Sequence, residues 1–178
     1  MLLRTRIVRQ FGLLSLFASL VAILVSCEAV PTEKAPVTKL PVGTVSVGIK
    51  PIQNLVLPAE PLEILFYVNN ATDDSVEILP WGTPLEKTMT ADRFSVSING
   101  ETIPYGGPVV KRPGPGPEDY ITLVAGEKKE TVVSLSDNYD VSAAGEYKIQ
   151  LKTMLFQRPK ADFLTPTMVE TAVVVTRQ

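Results

Sequence analysis

Residues 94–100 read Phe-Ser-Val-Ser-Ile-Asn-Gly, and this stretch decides the fold class. Phe94, Val96 and Ile98 alternate with Ser95 and Ser97, the period-two pattern of a strand with one buried face and one wetted face. Asn99-Gly100 follows at once. Both central residues of a type I′ turn take positive φ, which Asn and Gly tolerate best, so the pair predicts a tight hairpin. Working outward, the same alternation recurs in Val45, Val47 and Ile49, and again in Leu62, Ile64, Phe66 and Val68. Val76 and Ile78 begin a third run that ends at Pro80-Trp81. Further strands are predicted over 120–124, 131–135, 147–151 and 167–175, separated by Gly126-Glu127, 137–145 and 158–166. The one segment of helix-like composition, 137–144, has room only for a turn, and 15 Pro in the chain oppose long helices. The expectation is an all-β chain, an immunoglobulin-like β-sandwich of about seven to nine strands over 43–178. Gly145-Glu146-Tyr147 at the head of a strand has the form of a tyrosine corner, in which the hydroxyl bonds back to the preceding connection.

Composition removes several kinds of catalyst. The chain has 178 residues, one Cys and no His. Ser-His-Asp and Cys-His nucleophile systems and His-ligated metal sites all need imidazole, and one thiolate cannot build a zinc cluster. No cofactor or metal site is expected, and no pair of carboxylates stands out as general acid and base. The net charge of -2 gives no reason to expect nucleic acid as a partner.

The charges at the start of the chain are one-sided. Arg4, Arg6 and Arg9 precede an uncharged run over 11–25, FGLLSLFASLVAILV, with no acidic residue before Glu28. That is the n-region and h-region of a secretory signal, and the run is short for a membrane span of ~20 residues. Leu24-Val25-Ser26-Cys27 resembles the bacterial lipobox, which implies a signal peptide over 1–26 and acylation of Cys27. Two or more acyl chains give stable anchoring where one does not. Residues 28–42 carry Pro31, Pro36 and Pro41 without periodicity, and they read as a tether between membrane and domain. The expected location is the bacterial cell envelope, on a lipid anchor.

Candidate binding chemistry gathers in 104–117, PYGGPVVKRPGPGP, where Pro and Gly prevent regular sheet. A long loop in a compact domain is often functional. Tyr105, Lys111 and Arg112 supply an aromatic and two cations suited to a partner, and Trp81, the only Trp, could stack on a sugar or a peptide. Asn69 to Asp74 gathers oxygens of the kind calcium uses, but reads more simply as a hydrated turn.

Several segments in one order carry a resemblance: 79–86 LPWGTPLE, 94–96 FSV, 103–108 IPYGGP, 110–112 VKR, 119–123 DYITL, 125–127 AGE and 139–147 YDVSAAGEY. The series is similar to the β-rich N-terminal pro or accessory domain of deuterolysin-type (aspzincin) peptidyl-lysine metallopeptidases, over roughly 43–151. In that family a separate domain with a His-Glu-x-x-His helix binds zinc. With no His, this chain has no position to which those ligands transfer. The resemblance implies a non-enzymatic, freestanding relative of the accessory domain, and as partner a secreted or envelope metallopeptidase that it inhibits, keeps latent or chaperones. A structural or assembly lipoprotein of the envelope and a carbohydrate-binding module using Trp81 and Tyr105 are the alternatives.

Overall fold

A computed structural model describes residues 43–178 apart from Lys87. The expected signal segment, the expected acylation site Cys27 and the expected tether lie outside the described residues. Thirteen strands follow in order: β1 (Val45–Pro51), β2 (Leu55–Val56), β3 (Glu63–Asn70), β4 (Val76–Ile78), β5 (Phe94–Ile98), β6 (Glu101–Ile103), β7 (Ile121–Leu123), β8 (Lys128–Ser134), β9 (Gly145–Leu151), β10 (Phe156–Arg158), β11 (Asp162–Leu164), β12 (Thr167–Met168) and β13 (Ala172–Arg177). Among the described residues the only helical turns are two 3₁₀ segments, Pro117–Asp119 and Pro159–Ala161.

One sheet runs β12-β1-β3-β8 and the other β2-β13-β9-β5-β6. The long strands, β1-β3-β8 facing β13-β9-β5-β6, have the order of an immunoglobulin-like sandwich. Thirteen strands exceed the seven to nine expected. The surplus consists of two- and three-residue pieces, too short for alternation to register: β2, β6, the pair β10–β11, and β12. The short pair β4–β7 falls within the strands predicted from Val76 and over 120–124. The predicted strand over 167–175 is two strands. β12 pairs with β1 in parallel, and the chain then crosses to the other sheet, where β13 pairs antiparallel with β9.

Alternation explains the core. Val45, Val47 and Ile49 of β1 and Ile64, Phe66 and Val68 of β3 meet Phe94 and Val96 of β5, Tyr147, Ile149 and Leu151 of β9, and Val173 and Val175 of β13. All are essentially solvent-free. A buried side chain of this size contributes ~1.5–3 kcal/mol. The Asn99-Gly100 turn joins β5 to β6 with φ values of 50° and 89°, and Ile98 pairs with Glu101 across it. At the head of β9 the Tyr147 hydroxyl donates to the Ala143 carbonyl over 2.6 Å, closing the corner between the 136–144 connection and the strand. Burial pushes the Tyr147 phenol up from its usual value.

Asn70 organises the polar turn after β3. Its Nδ2 donates to the carbonyls of Asp74, Leu123 and Val124, and its Oδ1 accepts from the Thr72 amide and hydroxyl. The Asn70 side-chain oxygen, the Thr72 hydroxyl and the Asp74 carbonyl are thus bound up in a turn. Among the described residues no cluster of three or more His, Cys, Asp or Glu could hold a metal ion.

Candidate functional site

The connection from β4 to β5 and the loop after β6 pack side by side, and together they form the site. Pro80-Trp81-Gly82-Thr83-Pro84 opens the first segment with two tight bonds, from the Thr83 amide (3.0 Å) and the Thr83 hydroxyl (2.6 Å) to the Pro80 carbonyl. That turn delivers Glu86 to the centre of the site. Its carboxylate accepts from the Gly82 amide at 2.7 Å, from the Thr90 hydroxyl and from the Arg112 guanidinium. Arg112 also lies over the Trp81 ring, 4.9 Å from the centroid. A carboxylate with three donors, one of them charged, is well satisfied although the Glu86 side chain is only 11% exposed.

The loop's other end is held by aromatics. The Tyr105 hydroxyl donates to the Pro108 carbonyl at 2.9 Å, and its ring meets Tyr139 edge-on at 5.4 Å. Tyr139 in turn donates to Asp92 at 2.8 Å, and Lys152 completes the group with a 2.6 Å bond to the same carboxylate. Burial pushes the Asp92 carboxyl up, but hydrogen bonds from Lys152 and Tyr139 outweigh it and hold the group below its usual range. Burial raises the phenol of Tyr139, and the bond to Asp92 adds to the effect. Burial raises that of Tyr105 as well, helped by the Asp92 charge. Gly107 packs closely here: a Cβ would sit 2.2 Å from Asn138 Oδ1 and 2.5 Å from the Tyr105 ring, so those side chains would have to shift to admit one.

The structure brings Trp81 and Arg112 together and places Tyr105 at the opposite end of the same loop. Arg112 is committed within the molecule and takes one face of the indole. Lys111 is exposed, beside Val109 and Val110, which are 80% and 46% exposed. Glu86, Asp92 and Tyr139 hold the site together and were not singled out from sequence. Glu86 and Arg112 lie 26 positions apart, and Asp92 and Tyr139 lie 47 apart, so neither pair leaves a local signal. Tyr147, Asn99 and Gly100 sit away from this loop, in the corner and the hairpin turn.

No protein-family profile matches the chain. A stretch of 83 residues, 47% of the chain, is 32% identical to an extracellular protease of Aeromonas hydrophila. The match spans 23% of that protein. Over this stretch the chain is protease-related.

Proposed function

We propose that the protein is a non-enzymatic, lipid-anchored module of the bacterial cell envelope that binds a protein partner of the proteolytic apparatus, a metallopeptidase that it inhibits, keeps latent or helps to fold. One combination carries this reading: a stretch similar to part of an extracellular protease, in a chain with no His. The zinc chemistry of the peptidases it resembles needs imidazole ligands. What remains is a folded surface without that catalyst.

The working surface is the exposed strip of Val109, Val110 and Lys111, with Trp81, Tyr105 and Arg112 holding its shape. Truncating Arg112 strips the ion pair to Glu86, so it confounds binding with folding. Lys111→Ala separates the two. The test captures secreted peptidases of the host bacterium on the full-length chain and measures bound peptidase activity. Lys111→Ala is expected to lower capture at an unchanged melting temperature. If the wild-type chain neither retains a peptidase nor changes its rate, the proposed function is wrong.

A further inference from the structure

Each sheet has two edges, and they are unequal. β2 and β12 are two residues long and β6 is three, whereas β8 runs for seven and pairs only with β3. The Leu135 amide bonds the Leu62 carbonyl at 2.9 Å and the Asn70 amide bonds the Glu127 carbonyl at 2.8 Å, which fixes the phase of the antiparallel ladder. Odd-numbered residues of β8 therefore face β3. Lys128, Glu130, Val132 and Ser134 turn their N–H and C=O groups outward. Among the described residues, nothing hydrogen-bonds these backbone groups.

Natural sheets usually guard such an edge with proline, a bulge or outward lysines. β8 has no proline, and its two lysines are folded back. Lys128 pairs with Glu130 and lies 4.5 Å from the centroid of the Tyr67 ring, and Lys129 pairs with Glu127 at 2.8 Å. Val132 is left 54% exposed on the strand. Beside the end of β8 lies a cavity of about 230 Å³, walled by Val133 and Ser134 on one side and by Pro84, Met89 and Pro108 of the candidate site on the other. Two carboxylates line it. Glu86 is taken by Arg112, while Asp137 has no ion pair or hydrogen bond among the described residues.

We propose that the open edge of β8 takes up an extended segment of a partner polypeptide as an added strand, with one basic side chain of that segment seated in the cavity beside Asp137. Main-chain bonds to Lys128, Glu130, Val132 and Ser134 supply the binding, and the cavity supplies the selectivity. The inference rests on the protein-binding reading above and specifies how the partner is held.

The experiment uses the full-length chain in detergent micelles and short alternating Val/Thr peptides that differ only in a central Lys, Gln or Glu. Residue-resolved amide exchange is measured with each. The Lys peptide is expected to slow exchange at Glu130, Val132 and Ser134, and to bind about tenfold more tightly than the Glu peptide. Val132→Pro removes an outward N–H and leaves the β3 ladder intact, so it should abolish that protection while the unbound protein keeps its melting temperature. Asp137→Asn, which perturbs no backbone bond, should erase the preference for Lys over Gln. Unchanged exchange at these amides with the Lys peptide, or equal binding by Val132→Pro, overturns the proposal. So does a wild-type dimer that Val132→Pro turns monomeric, because the edge then belongs to a second copy of the chain. Peptidase capture that survives in Val132→Pro removes the edge and leaves the proposed function standing. Loss of capture by the wild type strikes the function, and the peptide result alone then decides the edge.

Discussion

Replacing Glu86 by Ala removes the acceptor shared by the Gly82 amide, the Thr90 hydroxyl and the Arg112 guanidinium. A hydrogen bond between neutral groups contributes ~1 kcal/mol net, and one to a charged group ~1.5–3 kcal/mol. The three do not add in full, since the Arg112 side chain is 27% exposed and gains water once released. The expected cost is ~2–3 kcal/mol, which for a domain of this size lowers the melting temperature by ~8–12 °C. Glu86→Gln keeps the shape and one acceptor and should cost about half as much. Urea unfolding followed by far-UV circular dichroism, with the fluorescence of the lone Trp81 as a second probe, measures both. In the double-mutant cycle, Glu86→Ala with Arg112→Ala should show a coupling of ~1–2 kcal/mol. A coupling within ~0.3 kcal/mol of zero would mean that the ion pair does not hold the loop, and the structural role given to Arg112 would fall.

Three further outcomes are expected. Tyr147→Phe deletes the bond to the Ala143 carbonyl and should lower stability by ~1 kcal/mol in calorimetry with the fold retained. The Asp92 carboxyl is held low in the folded state, so its contribution is present above the unfolded value near pH 4 and is lost as pH falls through the folded value. Asp92→Asn should therefore be less stable than the wild type at neutral pH, with the gap closing in acid, as read by unfolding at a series of pH values. Gly107→Ala forces a Cβ into Asn138 and the Tyr105 ring, which should cost ~1–3 kcal/mol and alter the near-UV signal of the tyrosines.

Where alternation and turn chemistry are local, the sequence was legible. Phe94 to Gly100 announces its strand and its turn because the two φ preferences and the period-two pattern agree within seven residues. Tyr147 was equally readable, since the Gly before it and the alternation after it mark the head of a strand. The crossing after Met168 left no mark, because Val169, Glu170 and Thr171 suit an extended chain in either sheet. β10 and β11 hid in a stretch interrupted by Pro159, whose partner strand is the only sign of its structure. The site was half readable: Trp81, Tyr105 and Arg112 stand out by residue type. That Arg112 caps the indole and answers Glu86 depends on how two irregular segments fold against each other, which no periodicity encodes. The same holds for Asn70, whose amide binds carbonyls more than 50 positions downstream.

The two-residue strands β2 and β12 look like trimmings, yet they decide how the domain would bear a mechanical load. β1, the first strand, lies between β12 and β3, and β13, the last, lies between β2 and β9. Among the described residues, neither the first strand nor the last lies on a free rim of its sheet. A pull applied at both ends cannot peel the first or last strand away one bond at a time. It must slide that strand lengthwise past a neighbour on each side, so that many bonds share the force at once. A load that enters through the chain ahead of β1 would be resisted in this way at β1, between β12 and β3.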